Sequence, residues 1–198
     1  MFTEKPGYIF SAEGAHLKRS VMRELLALAA DPGIISLAGG LPASEFLPLT
    51  QYQECLNAVL TRDGGRALQY SPQSTGLREW IADYMRGRGV DCTPEQIFIT
   101  NGNQQGLTIL SRMFLDPGDP AVIEETTFTG IQQVTAGRGA DVLAIPTDLS
   151  SGADMEALEA AFARDPHPRM AVLIPDFHNP LGVSISREKR QRAAQLAP

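Results

Sequence analysis

From residue 97 onward, short apolar runs alternate with helical stretches of about ten residues, and no other feature constrains the fold as much. Ile97-Phe98-Ile99-Thr100, Ala121–Glu125, Val142–Ile145 and Met170–Pro175 read as four strands. Helical patterns cover Gly106–Leu115, Gly130–Ala136, Asp154–Arg164 and a last segment opening at Ser186. Asp116-Pro117-Gly118 stops the first of these helices, and the third begins with an acidic capping turn. Strands joined by crossover helices form a parallel sheet with helices on its faces, an α/β architecture. Ligands bind such sheets beyond the carboxyl ends of the strands, so chemistry is to be sought in the loops after Thr100, Glu125 and Pro175.

Ahead of this region the rhythm is helical. Val21, Leu25, Leu28 and Ala29 recur at helical spacing over residues 17–30 until Asp31-Pro32-Gly33 stops them. Gly39-Gly40 and Pro42 mark an irregular turn, and helices follow from about Gln51 to Leu60 and from Gly76 to about Arg86. The 198 residues leave room for one domain with a sizeable core. Seventeen basic against 23 acidic residues give a net charge of -6, which argues against nucleic acid or an anionic membrane as partner. Cys55 and Cys92 lack metal-ligand spacing and read as reduced packing residues. Glu4, Pro6 and Gly7 interrupt the stretch where a signal peptide needs its apolar core, and no run approaches the roughly 18 apolar residues of a membrane span. A cytoplasmic protein with small-molecule or protein partners is expected.

The first loop, Thr100-Asn101-Gly102-Asn103-Gln104-Gln105-Gly106, leads from a strand into a helix and carries amide side chains. Read alone, it is either an ordinary turn with an Asn-Gly corner or an anion site at a helix N-terminus. It is neither a P-loop nor a G-x-G-x-x-G turn. In the second loop, Glu124-Glu125-Thr126-Thr127-Phe128-Thr129-Gly130, Phe128 is either a core residue or a ring that stacks on a planar ligand. In the third, Pro175-Asp176-Phe177-His178-Asn179-Pro180-Leu181-Gly182, the proline holds Asn179 extended, while His178 reads as a surface or supporting residue.

Taken together and in order, IISLAGGLPASEFLPL, ALQYSPQSTGLREWIADYM, IFITNGNQQGLTILSRMFLDPGD, VIEETTFTG and IPDFHNPLGVSIS resemble the fold type I pyridoxal-phosphate aminotransferases of class I/II. The likeness is greatest to the α-aminoadipate and multi-substrate group. It implies an aspartate-aminotransferase-like fold, three-layer α/β/α with a mainly parallel sheet, incomplete at the C-terminus. Residues 1–48 would form the N-terminal arm and helix, and residues 49–198 part of the cofactor-binding large domain. By resemblance, Gly102, Asn103 and Gln104 hold the phosphate of pyridoxal 5'-phosphate, Phe128 stacks on its ring, and Asn179 bonds its phenolic oxygen. Tyr70 would reach across a homodimer to the partner's phosphate, and Gly39 and Gly40 would admit the substrate carboxylate. Arg23 is either a solvated helical residue or a contact for an acidic substrate side chain. Thr126 stands where the family usually has Pro, Phe128 where Tyr is commoner, Leu181 where Thr is usual and Asn103 where Ser is frequent. The segment between Pro72 and Leu77 looks shortened.

The implied activity is transfer of an amino group from an amino acid to a 2-oxo acid. That reaction needs a Schiff-base lysine that also moves a proton. The sequence has only Lys5, Lys18 and Lys189, and none stands in the Ser-rich setting the family uses; Lys189, within REKRQR, reads as a solvated surface residue. No residue matches the aspartate that pairs with the pyridine nitrogen or the arginine that binds the substrate carboxylate. The resemblance therefore implies an N-terminal fragment inactive by itself. In the family's sheet, strands from the unmatched portion separate residues 97–100 from the other three strands, so this first strand is expected to lack a neighbour. Two further readings stand beside the enzyme: a ligand-sensing domain of a transcription regulator, and a non-catalytic remnant that pairs with an intact paralogue.

Overall fold

The computed structural model describes residues 42–196 and, ahead of them, residues 9, 11, 14, 25, 28, 31, 33–35 and 40. Of the helix expected over residues 17–30, only Leu25 and Leu28 are among these, and both are helical. The chain forms two compact units, one of Met1–Gly40 with Gly102–Pro198 and one of Leu41–Asn101.

The first unit contains the sheet. Helix α3 (Asn103–Phe114) precedes β1 (Pro120–Glu124), α4 (Thr129–Gly137) leads to β2 (Asp141–Ile145), and α5 (Met155–Phe162) leads to β5 (Met170–Val172). Helix α6 (Arg187–Leu196) follows the last strand. The strand order is β2-β1-β5, and both pairings are parallel, with Ala121 opposite Val142 on one side and Met170 on the other. β1 is buried along its whole length, as befits a central strand covered on both faces. Its alternation assigns the layers. Val122 joins Ile145, Met155, Leu158 and Ala161 beneath α5 and α6, whereas Ile123 joins Leu107, Ile131 and Val134 beneath α3 and α4. Each such fully buried aliphatic side chain contributes about 1.5–3 kcal/mol. Helices on both faces give three α/β/α layers. Asp154 caps α5 as the acidic turn predicts, its carboxylate accepting from the N–H groups of Glu156 and Ala157 at 2.9 and 3.0 Å.

A small antiparallel hairpin, β3 (Thr147–Asp148) with β4 (Gly152–Ala153), escapes the sequence reading because two-residue strands carry no periodicity. It corrects the expectation for Lys189. The ammonium of Lys189 donates to Ser151 O, Ser151 Oγ and Ala153 O at 2.9, 3.0 and 2.9 Å, so α6 is fastened to the hairpin. Lys189→Met keeps the aliphatic stem and loses the three bonds. It is expected to lower unfolding stability by about 1–2 kcal/mol in urea denaturation, where an unchanged midpoint would count against the fastening.

The second unit is helical. Helix α1 (Leu49–Asp63) and α2 (Thr75–Gly87) are each longer than the spacing predicts, and Ser74 Oγ caps α2 by accepting from Leu77 N at 3.3 Å. Residues 97–100 correct a second expectation, for they belong to no strand. A strand exists by virtue of a partner ladder. Here the Gln73 side chain supplies the bonds instead, donating to Ile99 O at 2.8 Å and accepting from Ile99 N at 2.9 Å. Cys55, read as a packing residue, is exposed on α1, which has no buried residue among those described. Among the described residues no helix is long and apolar enough to cross a membrane.

Candidate functional site

Three segments of the first unit converge beyond the carboxyl end of β1. The first is the start of α3. Gly102, the residue ahead of the helix, has φ 78° and ψ 167°, a conformation essentially restricted to glycine. It lets the chain enter α3 with the first backbone N–H groups and the positive end of the helix dipole facing outward, beside the exposed side chains of Asn103 and Gln104.

The second segment follows β1. Gln104 Nε2 donates to Gly130 O at 3.2 Å, which ties the start of α3 to the start of α4. Gly130 is a glycine for want of space: a Cβ there would stand 2.1 Å from Gln104 Oε1 and 2.4 Å from Phe128 Cε1. The amide and the ring therefore meet over one bare backbone position. Phe128 is half-buried and packs on the cluster of Leu107, Ile123, Ile131 and Val134. The core alternative holds for this residue, and the ring it fixes is still partly exposed. Sequence reasoning gave Gly130 no role; its only signal was a glycine in the first turn of a helix, where propensity disfavours it.

The third segment, residues 175–185, is a tightly bonded loop. Ile185 N donates to Pro175 O at 3.0 Å, His178 N to Val183 O at 2.8 Å and Phe177 N to Ser184 Oγ at 3.0 Å. From α6, the Arg190 guanidinium grips both oxygens of Asp176 at 2.9 and 2.6 Å and also bonds Pro175 O. Phe177 is 83% exposed and has φ 45°, an unusual conformation for a bulky residue. The chain thereby reverses direction between an exposed Phe177 and a buried His178, and Asn179 follows, exposed.

His178 corrects the reading of it as a surface residue, since it is only 1% exposed. Its Nε2 lies 3.2 Å from Glu124 Oε2, close enough for a charge contact but too far out of line to complete a hydrogen bond. Glu124, the last residue of β1, is fully buried and accepts from Ile174 N at 2.8 Å. Burial pushes the Glu124 carboxyl above its ordinary pKa, opposed by the Ile174 N–H and by His178. A carboxyl with a raised folded-state pKa gives its full stabilisation below the ordinary value and loses it as pH rises through the raised one. Glu124→Gln, which still accepts from Ile174 N, is therefore expected to gain stability relative to the wild type as pH rises from below the ordinary carboxyl pKa through the raised one. Urea midpoints at both ends test this, and a constant difference would refute it.

The aminotransferase class I and II family matches residues 40–198. The chain belongs to this family. It is 36% identical over 189 residues to the 2-aminoadipate transaminase of Thermus thermophilus, an alignment that covers 94% of this chain and 46% of the relative. The crystal structure of that organism's α-aminoadipate aminotransferase in complex with N-(5'-phosphopyridoxyl)-L-leucine matches with TM-score 0.82, again over 94% of this chain and 46% of the other. A kynurenine aminotransferase from Pyrococcus horikoshii matches with TM-score 0.85 at 32% identity, over 96% and 48% of the two chains. More distant relatives include an Escherichia coli HTH-type transcriptional regulator, 26% identical over 87% of this chain and 37% of its own length. The chain thus spans about half the length of the curated relatives it matches. The aspartate-aminotransferase-like α/β fold expected from the sequence is the observed one.

The family's cofactor is pyridoxal phosphate, and the site of this aminotransferase chain fits it. A Cβ at Gly130 would fill the cradle between the Gln104 amide and the Phe128 ring. The start of α3, with no side-chain cap and no acidic residue in its first turn, offers the positive dipole end that suits a phosphate. Among the other residues singled out, Gly40 has φ 55° and open space around it, while Gly39 and Arg23 lie outside the described residues. Tyr70 belongs to the second unit and is fully exposed. Among the described residues no group of three or more His, Cys, Asp or Glu is placed to hold a metal. A groove of about 860 Å³, lined by Phe162, Pro166, His167 and Arg169, opens at the amino end of β5, away from the three loops.

Proposed function

We propose that this chain carries the cofactor-holding part of an enzyme that transfers an amino group from an amino acid to a 2-oxo acid. The observation behind this reading is the meeting of the Gln104 amide and the Phe128 ring over Gly130 at the start of α3. Gly102, Asn103 and Gln104 would bind the phosphate, Phe128 would stack on the pyridine ring, and Asn179 would bond the phenolic oxygen. Once bound, the cofactor supplies an electron sink for the charge that develops at the substrate Cα. The protein's part is to fix the ring, shield one face of it and hold the phosphate against the helix dipole. Gly39, Gly40 and Arg23 would meet the substrate, and Tyr70 the phosphate of a homodimeric partner. Residues 49–198 would belong to the large domain, residues 1–48 to the arm, and the complete enzyme to the cytoplasm. The likeness to a 2-aminoadipate transaminase favours 2-aminoadipate as the amino-acid substrate.

The proton-moving lysine is the element this sequence does not provide. Lys189 is committed to three oxygens of the β3–β4 hairpin. The chain alone is therefore expected to bind pyridoxamine phosphate, which needs no lysine, and to form no 2-oxo acid from amino acids. Calorimetry with pyridoxamine phosphate and a coupled 2-oxo acid assay test the two halves. Absence of binding removes the cofactor reading, and turnover by the chain alone removes the missing-lysine reading. The regulator relatives favour a second reading, in which an aminotransferase-like domain senses its ligand without turnover. Co-purification with a full-length aminotransferase would favour a paralogue-pairing remnant instead.

A further inference from the structure

Behind the exposed Asn179 lies a polar pair that the reading above leaves unused. Glu124 and His178 are 0% and 1% exposed, in a place where two apolar side chains would fill the volume without the cost of desolvating a carboxylate. The two residues come from different segments, the end of β1 and the loop after β5. Each also reaches a backbone N–H: Glu124 Oε2 accepts from Ile174 N at 2.8 Å, and His178 Nδ1 accepts from Leu181 N at 3.4 Å. Because Nδ1 is the acceptor, the ring proton sits on Nε2, the nitrogen that faces Glu124 Oε2 at 3.2 Å. The chain of contacts thus runs from Ile174 through the carboxylate and the imidazole to Leu181. It closes around the Asn179-Pro180 unit from inside the protein, while the backbone bonds to Val183 and Ser184 close it from the loop side. The left-handed Phe177 serves the same end, since its φ of 45° turns His178 inward immediately before Asn179.

We propose that Glu124 and His178 are positioning residues for Asn179: the carboxylate orients the imidazole, and the imidazole holds the Asn179–Leu181 turn so that the Asn179 amide stands at the cofactor's phenolic oxygen. The proposal rests on the cofactor reading given above. Neither residue touches the cofactor, and each acts through the turn. A glutamine amide can likewise accept from Leu181 N and turn a polar N–H toward Glu124, whereas leucine fills the space and does neither.

The test uses the full chain and two ligands, pyridoxamine phosphate and its 3-deoxy analogue, which lacks the phenolic oxygen. The wild type is expected to prefer the first, and Asn179→Ala to abolish that preference. His178→Leu is expected to lose about tenfold for pyridoxamine phosphate, with little change for the 3-deoxy analogue, in line with what loss of a supporting contact behind a ligand costs. His178→Gln is expected to restore the preference. A folded His178→Leu chain that keeps the wild-type preference overturns the proposal, and so does an equal loss for both ligands, which would mean general damage to the site. Should His178→Leu fail to fold, His178→Phe, which keeps a ring in the space and loses both nitrogens, reads the same ratio, and an unchanged ratio there overturns it as well. A wild type that binds neither ligand sinks the cofactor reading. In that case amide exchange decides for the pair: faster exchange at Leu181 in His178→Leu supports the hold on the turn, and unchanged exchange overturns it.

Discussion

Replacing Gly130 with alanine is expected to weaken binding of pyridoxamine phosphate at least tenfold while leaving the chain folded. The added methyl would stand 2.1 Å from Gln104 Oε1 and 2.4 Å from Phe128 Cε1, so both side chains must leave their places. The backbone itself is not strained, because Gly130 does not need a positive φ and an alanine is the better helix former by about 1 kcal/mol. That gain offsets part of the overpacking cost of about 1–3 kcal/mol. Stability and binding should therefore separate. The Gln104 amide can swing into solvent, but the Phe128 ring is packed on Leu107, Ile123, Ile131 and Val134 and cannot move without disturbing them. Calorimetric titration of Gly130→Ala, with Gln132→Ala on the exposed side of the same helix as reference, reads the difference. Equal affinities in the two variants would show that the Gln104–Phe128 cradle does not bind the cofactor.

Truncating Leu158 to alanine is expected to lower unfolding stability by about 2–5 kcal/mol. Leu158 is 1% exposed on α5 and belongs to the cluster that joins this helix to β1 and β2 through Val122 and Ile145. Its removal leaves a void that parallel strands fixed in register cannot close. Against a total stability of about 5–15 kcal/mol for an ordinary domain, the loss is a large fraction of what holds the fold together. Leu56→Ala on exposed α1 should change stability by less than about 0.5 kcal/mol. Urea denaturation of the two variants compares them directly, and a Leu158→Ala midpoint within error of the wild type would refute the core assignment.

Much of the fold was legible. The apolar run Ala121–Glu125 read as a strand and β1 is Pro120–Glu124, and Asp154 announced its helix by cap chemistry. Gly102 was legible as part of a turn, because a glycine between amide residues at the start of a helix is a local signal. Residues 97–100 show where this kind of reading fails. Their apolar pattern is that of a strand, yet a strand needs a neighbour, and the bonds of Ile99 go to the Gln73 side chain. Lys189 fails in the opposite sense: its basic surroundings predict a solvated residue, whereas a hairpin distant in sequence supplies three oxygens.

The sequence by itself determined the parallel α/β class, the three loops and the residue types that suit an anion, a planar ring and an oxygen. These follow from side-chain periodicity, caps and turn chemistry, which act over a few neighbouring residues. Only the tertiary structure decided that Gln104 and Phe128 meet over Gly130, and that a carboxylate ending β1 stands against the imidazole that precedes Asn179. Those pairings depend on which distant segments the two-sided core brings together, and no pattern within one segment records its partner.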